Sequence, residues 1–357
     1  MSKLPTICFL TGTLNAFAGA ERMTAVIANA LAERGYPVRI LSLWDKASVF
    51  PLHAGVVHDA LFESRPSFKR QYLATVAGIR RFVRQHRIDA LIEVDTMLTL
   101  FTLPATVGLK VRRIAWEHCH FDEDLGKPAR KLARVLAARV SSAVVVLTER
   151  DRARWIEALR PRCNVVALPN PLPFPMPVAP APRDSQTVLA VGRLTTSKGF
   201  DVLIAAWEKV ARMAPGWRLL IIGEGEERQR LESLRNRLGL ETSVSLPGIQ
   251  ADISPAYARA SIFCLSSRYE GFGLVLIEAM AYGLPIVSTA CPQGPRELLG
   301  PDDAITVPVE DAEQLAEALL TLIGSPSTAE SLGARGRQTA RAYEINHLVD
   351  RWIPLLE

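Results

Sequence analysis

Ser267-Arg-Tyr-Glu270-Gly-Phe-Gly273-Leu-Val-Leu-Ile-Glu278-Ala-Met-Ala-Tyr-Gly283-Leu-Pro285-Ile-Val-Ser288 decides how this chain reads. The apolar run Ile262–Leu265 just before it predicts a strand, and Glu270, Gly271 and Gly273 sit in the loop that follows. A helix is expected to start near Leu274 and to carry Glu278 in its second turn. Gly283-Leu284-Pro285 stops that helix before the next strand, Ile286–Val287. Strand, glycine loop and helix start, in that order, gather backbone N–H groups and the positive end of a helix dipole at one spot, which suits an anion. Glu270 and Glu278 flank that spot, and carboxylates accept hydrogen bonds from sugar hydroxyls. Two glutamates on one helix usually mean a solvated face. The loop between these two favours a ligand that is both anionic and rich in hydroxyls.

Working outward, Val188-Leu-Ala-Val-Gly192-Arg193-Leu-Thr-Thr-Ser-Lys198-Gly-Phe-Asp201 repeats the same plan with cations in the loop. Arg193 can grip a phosphate with a forked pair of hydrogen bonds, and Lys198 adds a point charge. Together they would neutralise a diphosphate as it leaves; taken alone, they could be solvated loop cations. Ile221-Ile-Gly223-Glu-Gly225-Glu-Glu-Arg228 imitates a dinucleotide fingerprint, but Arg228 stands at the third glycine's place. It reads as a tight turn, with room for backbone contact to a nucleotide.

Near the amino terminus, Gly12 to Arg22 lead from a first strand into a first helix, where Gly19 and Ala20 allow close approach of a phosphate or sugar. Glu21 there is explained by the helix dipole. Trp116-Glu117-His118-Cys119-His120 follows another predicted strand, and a histidine at a strand end can donate to a substrate hydroxyl or phosphate, or simply be structural. Asp122-Glu123-Asp124 reads as a solvated loop rather than a metal site, because no further ligand sits at suggestive spacing.

Residues 169–182 hold seven prolines in fourteen positions, a density that neither helix nor strand interior tolerates. A domain boundary falls there. Before it, short apolar runs at Ile7–Thr11, Val38–Leu43, Ala90–Val94, Arg113–Trp116 and Ala143–Leu147 alternate with helical patterns such as Arg22–Arg34 and Lys69–His86. After it, Thr187–Val191, Arg218–Ile222, Val244–Pro247, Ile262–Leu265, Ile286–Ser288 and Ile305–Val307 alternate with Phe200–Met213, Glu226–Leu238 and Ala312–Leu322. A helical segment from about Ala329 to Leu356 closes the chain. The pattern predicts an α/β fold of two facing, Rossmann-like doubly wound domains with a cleft between them. The divisions are 1–168, a proline-rich linker at 169–183, a second domain at 184–335, and a C-terminal helix at 336–357 that could cross back to the first domain.

The chain has 357 residues, 48% of them hydrophobic and 22% charged, which suits two domains with sizeable cores. Five scattered cysteines without a Cys-x-x-Cys pair indicate neither a disulfide framework nor a zinc knuckle, and read as cytosolic. The start, from Lys3 through Ile7–Leu10 to Ala18-Gly19-Ala20, only faintly resembles a signal peptide and is read as a strand. No apolar run approaches the ~20 residues of a membrane span. Net charge is +5, with 25 Lys and Arg against 15 Asp and Glu in residues 1–172, and 17 against 22 in the remainder. Basic clusters at Lys69-Arg70, Arg80-Arg81-Arg84-Arg87 and Lys127-Arg130-Lys131-Arg134 are either solvated helix faces or a surface for anionic lipid or a phosphate-bearing acceptor. They lack interleaved aromatics, so nucleic acid is not expected.

Taken together, these residues resemble the retaining, family 4 (group 1) glycosyltransferases of the GT-B fold. The resemblance rests on Gly19-Ala-Glu-Arg22, His118, Pro169-Asn170-Pro171, Gly192-Arg-Leu194 with Lys198-Gly-Phe200, Gly223-Glu-Gly225, and Glu270 through Pro285. In the first loop Ala18 stands where the family often has a second glycine. The resemblance implies an acceptor-binding first domain and a nucleotide-sugar-binding second one. His118 and Glu270 would act at the reaction centre, Glu270 and the amides of Gly271 to Gly273 holding the transferred sugar. Gly19, Arg193, Lys198, Gly248, Ile249, Gly271, Phe272, Gly273, Leu274 and Glu278 would bind the donor. Within that set Arg193 and Lys198 take the diphosphate, Glu278 the ribose hydroxyls, and the Pro247-Gly248-Ile249 turn the base.

Retention would proceed by same-face substitution, with no metal and no cofactor beyond the nucleotide-sugar donor, expected to be a UDP-sugar. The loop Cys291-Pro-Gln-Gly294-Pro-Arg-Glu297 resembles members that build surface polysaccharides and lipid-linked oligosaccharides. It points to a polyprenyl-diphosphate sugar acceptor and a peripheral place on the inner face of the cytoplasmic membrane. Acceptor choice is expected in the loops 44–68 and 119–130. The rivals are a nucleotide-sugar epimerase or a phosphorylase of the same fold, and a non-catalytic nucleotide- or carbohydrate-binding protein. Paired-carboxylate hydrolysis is disfavoured, since Glu278 would sit on a helix beside an anion site.

Overall fold

The computed structural model describes residues 4–124, 126–291, 294–300 and 302–357. Lys3, and Pro292 and Gln293 of the loop Cys291–Glu297, lie outside the described residues. Contacts divide the chain into one unit of Met1–Pro173 with Ile345–Glu357, and a second of Phe174–Glu344.

In the first unit, β1 (Ile7–Thr11), α1 (Gly19–Glu33), β2 (Val38–Trp44), β3 (Val56–Phe62), α2 (Tyr72–Gln85) and β4 (Ala90–Glu93) follow in turn. They continue with α3 (Thr99–Thr106), β5 (Arg112–Trp116), α4 (Ala129–Val140), β6 (Ala143–Val146), α5 (Glu149–Leu159) and β7 (Asn164–Ala167). The seven strands are parallel in the order β3-β2-β1-β4-β5-β6-β7. Helices cover such a sheet on both faces, so its strands need not alternate polar and apolar residues. Ile7, Cys8, Phe9 and Leu10 are accordingly all 0% exposed, and Phe9 lies in register with Ile40 on one side and Ile92 on the other. The order reverses between β1 and β4, and right-handed crossovers put α1 on one face and α2 to α5 on the other.

In the second unit the elements are β8 (Thr187–Val191), α6 (Phe200–Met213), β9 (Arg218–Ile222), α7 (Arg228–Arg237), β10 (Val244–Gly248), α8 (Ser254–Arg259) and β11 (Ile262–Leu265). Then come α9 (Leu274–Ala281), β12 (Ile286–Thr289), α10 (Pro295–Leu298), β13 (Ala304–Val307), α11 (Ala312–Gly324) and α12 (Pro326–Ala340). Six parallel strands lie in the order β10-β9-β8-β11-β12-β13, reversing between β8 and β11. The core gathers Val188, Ala190, Leu203, Ile204, Trp207 and Leu219 with Leu315 and Leu319 of α11.

Three expectations change. Residues 44–68, read as a loop, contain β3: its polar His58 and Asp59 hid the strand, but they pair with β2 through Ser42 (2.8 Å) and Arg39 (3.2 Å). The closing helix is not continuous. After α12 come a 3-10 turn at Arg341–Tyr343, extended backbone at Glu344, and two short helices, α13 (Ile345–Val349) and α14 (Ile353–Leu356). These last elements belong to the first unit, where Arg34 pairs with Asp350 at 3.1 Å and the Trp352 ring meets Trp116 edge-on at 4.9 Å. Third, the basic cluster at 127–134 is only half surface: Arg130 and Arg134 are each 2% exposed, whereas Lys127 and Lys131 are exposed. The proline stretch is pinned, since Leu172 is buried in the first unit, while in the second Phe174 meets the Tyr282 ring and Ala181 N–H donates to the Tyr282 carbonyl at 2.8 Å. Among the described residues no helix is long and apolar enough to cross a membrane.

Candidate functional site

The reversal between β8 and β11 opens a crevice at the strands' carboxyl ends, the place where a doubly wound sheet accepts a ligand. The loop after β8 carries Arg193 and Lys198, and the loop after β11 carries Glu270 to Gly273. Adjacent strands thus bring together residues more than seventy apart: Lys198 Nζ donates to Glu270 Oε1 at 2.6 Å, and Ser267 Oγ donates to the same oxygen at 2.6 Å. Glu270 is 7% exposed. Arg193 is exposed and makes no side-chain hydrogen bond or ion pair within the described residues, so its guanidinium is available.

Glycine closes the two loops together. Gly199 sits at φ +61, and a Cβ there would come within 2.1 Å of the Ser266 carbonyl oxygen. Ser266 Oγ in turn donates to the Lys198 carbonyl at 2.9 Å. The dinucleotide-like Gly223-Glu-Gly225 has a purely internal explanation, because a Cβ on Gly225 would stand 2.3 Å from the Leu194 carbonyl oxygen. That turn supports the cation loop: Leu194 N–H donates to Glu224 at 2.9 Å, and Gly223 N–H reaches Gly248 at 3.0 Å. Gly248 ends β10 and Ile249 beside it is 52% exposed. Loops after four strands therefore line one rim, with Ile249 and the Gly223 turn at one end and Glu270 at the other.

Gly273, at φ +91, caps α9, whose first residue is Leu274. No side chain caps this end. Phe272 is 5% exposed, and Leu276 to Ala281 are buried throughout. Glu278 is 1% exposed among them, a placement that costs desolvation and that packing alone does not call for.

The first unit holds the other expected residues. Gly19 is the exposed first residue of α1, and Ala18 before it supplies no side-chain cap. His118 follows β5, its ring 4.2 Å from Trp116, and its buried Nε2 has no hydrogen-bond partner. Burial pushes its imidazole down to about 4 against the pull of the Asp95 carboxylate, so it is neutral at physiological pH. Asp122 and Asp124, read as a solvated loop, pair with Arg154 (3.1 Å) and Lys131 (3.7 Å).

Beneath His118 lies a network missed in the sequence. Glu117, 1% exposed, receives Arg130 (3.1 Å), Arg134 (2.9 Å) and the Thr96 hydroxyl (2.6 Å). Arg130 also grips Asp95 with two bonds of 2.9 Å. Arg134 then donates to the carbonyls of His120 (3.0 Å), Glu123 (2.9 Å) and Phe121, shaping the loop that follows His118. One signal was available. Ala133, Ala137 and Ala138 mark the buried face of α4, and helical spacing puts 130 and 134 on it.

Residues 17–173 match the family described as Glycosyltransferase Family 4, and residues 176–339 that described as Glycosyl transferases group 1. An uncharacterized glycosyltransferase of Haemophilus influenzae is 32% identical over 98% of this chain and 99% of its own. The chain belongs to the group 1 glycosyltransferases. This glycosyltransferase is also 26% identical, over 98% of both chains, to the Campylobacter jejuni GalNAc-alpha-(1->4)-GalNAc-alpha-(1->3)-diNAcBac-PP-undecaprenol alpha-1,4-N-acetyl-D-galactosaminyltransferase. Among solved structures, Anabaena HepE in complex with UDP and glucose is similar with a TM-score of 0.81 at 20% identity, over 99% of both chains. The two parallel sheets of this glycosyltransferase have the two-domain α/β GT-B fold.

Proposed function

We propose that this glycosyltransferase moves a hexose or N-acetylhexosamine from a UDP-sugar to a lipid-linked saccharide, with retention and without a bound metal, in building a surface polysaccharide or glycoconjugate. The observation that carries this reading is the Lys198–Glu270 pair, 2.6 Å long, at the β8/β11 crevice beside the exposed Arg193. Two cations at that point supply the counter-charge for a departing diphosphate that a divalent ion would otherwise supply. Glu270 and Glu278 are acceptors for the donor's sugar and ribose hydroxyls, and the Gly248–Ile249 end of the rim takes the base.

The anomeric carbon loses its bond to the diphosphate oxygen and gains one to the acceptor oxygen on the same face. The acceptor's proton passes to the leaving phosphate. His118, neutral and with Nε2 unpartnered, serves a sugar hydroxyl rather than the phosphate charge. The uridine assignment is supported by the UDP bound to HepE, and the lipid-linked acceptor by the undecaprenol in the Campylobacter enzyme's name.

A peripheral place on the inner face of the cytoplasmic membrane is supported by α4. Its arginines 130 and 134 face inward, while Leu132 (56% exposed), Val135 and Val140 face outward beside Lys131 and Arg139.

The test is turnover of UDP-sugars by the full chain, read as released UDP and as the product's anomeric coupling in NMR. An α-linked product, formed equally in EDTA, is expected. Inversion, isomerised donor without released UDP, or activity that EDTA abolishes and magnesium restores would each overturn part of the reading.

A further inference from the structure

Arg268 lies two residues before Glu270 and points away from it. Its side chain, 21% exposed, is engaged on every nitrogen. Nη1 and Nη2 fork onto Asp201 at 2.9 and 3.0 Å, in the first turn of α6. Nη2 also reaches Glu310 at 3.0 Å and Nε the same carboxylate, while Nη1 donates to the Thr196 carbonyl at 2.5 Å. Its backbone N–H donates to the Ser197 carbonyl at 2.8 Å. Glu310 is a non-glycine residue held at φ +66, a costly conformation that presents its carboxylate to Arg268.

Thr196 and Ser197 immediately precede Lys198 in the 3-10 turn Thr196–Lys198. Arg268 therefore ties the turn that carries Lys198 to the loop that carries Glu270, while touching neither of those side chains. We infer that Arg268 is a positioning residue, which sets the register of the Lys198 turn on the Glu270 loop so that the ammonium meets the second phosphate of a nucleoside diphosphate. The inference rests on the donor-site reading given under Proposed function. Only a planar fork satisfies Asp201, Glu310 and the Thr196 carbonyl together, so lysine cannot replace it.

A purely structural role would loosen the whole site, whereas a positioning role acts on the second phosphate alone. The discriminating measurement is calorimetric binding of UDP and of UMP to the full chain. Arg268→Lys should weaken UDP about tenfold and leave UMP within about twofold, and in a Lys198→Ala background it should cost nothing further. Asp201→Asn, which keeps its shape, should show the same pattern and guards against a misfolded Arg268 variant. Equal loss of UDP and UMP, unchanged UDP affinity, or a full additional loss beside Lys198→Ala overturns the inference. Wild-type chain that ignores UDP, or Lys198→Ala that binds it normally, sinks the donor-site reading itself.

Discussion

Lys198 Nζ is 2.6 Å from Glu270 Oε1, so the cation proposed for the donor's diphosphate already has a counter-ion. A diphosphate must draw the ammonium away, and doing so frees the carboxylate oxygen for a sugar hydroxyl. Binding of the two halves of the donor is thereby linked through one ion pair. Glu270→Gln removes the charge and keeps the shape. It is expected to lower turnover about 10²- to 10³-fold while UDP binds no more weakly than to wild type. Lys198→Ala should weaken UDP instead. Calorimetry and UDP-release rates on both variants check this; a Glu270→Gln enzyme working at wild-type speed would refute it.

The buried arginines of α4 make a second prediction. Glu117 sits between Arg130 and Arg134, all three at most 2% exposed, so removing Arg134 leaves Glu117 to share Arg130 with Asp95, two carboxylates on one guanidinium. Arg134→Ala should cost roughly 3–5 kcal/mol in urea unfolding. Arg139→Ala, on the exposed side of the same helix, should change stability by less than about 0.5 kcal/mol. Similar effects from the two substitutions would contradict the burial pattern.

The contrast between these two sites shows what the sequence made legible. Residues 262–288 announced their structure because strand, glycine loop and helix start are local signals, and the topology of a parallel sheet then fixes which loops meet. Lys198 and Glu270 could be named together on that ground. Arg268 and Arg134 could not, because their work lies in long-range hydrogen bonds to carbonyls at 196 and 120–123 that no spacing encodes. A lysine- and arginine-rich helix reads as solvated, and only the alanines at 133, 137 and 138 betray which side is buried. In β3, polar His58 and Asp59 broke the apolar pattern, though both are satisfied by β2.

His118 gives a pH signature with a definite sign. Its folded-state value, pushed down to about 4 by burial, lies below the unfolded value of ~6.5. Between those limits the unfolded chain binds a proton that the native chain does not, so stability is present above ~6.5 and falls as pH drops toward 4. Asp151 acts oppositely: burial pushes it up to about 7, so its contribution is lost as pH rises through that value. The two slopes overlap in wild type, and the difference between wild type and His118→Gln isolates the first. That difference should move in the variant's favour by about 3 kcal/mol between pH 6.5 and 4. A difference independent of pH would show that His118 titrates normally.

The outward side of α4 carries the last prediction. Leu132 and Val135 stand exposed between Lys131 and Arg139, on a helix whose inner side is held by the Glu117 network. Apolar side chains ringed by cations suit the headgroup boundary of an anionic bilayer, with each basic residue worth about 1 kcal/mol there. Ile156, 43% exposed on the separate helix α5, is a control of similar apolar size. In co-sedimentation with phosphatidylglycerol vesicles, the double change Leu132→Ser and Val135→Ser should reduce binding about tenfold, and Lys131→Glu should make what remains less sensitive to salt. Ile156→Ser should bind like wild type. Release of UDP with a soluble acceptor should be unaffected in every variant, since none touches the donor loops. Equal binding by all of them, or equal binding to neutral phosphatidylcholine vesicles, would remove the membrane from the proposed function and leave the transfer chemistry standing.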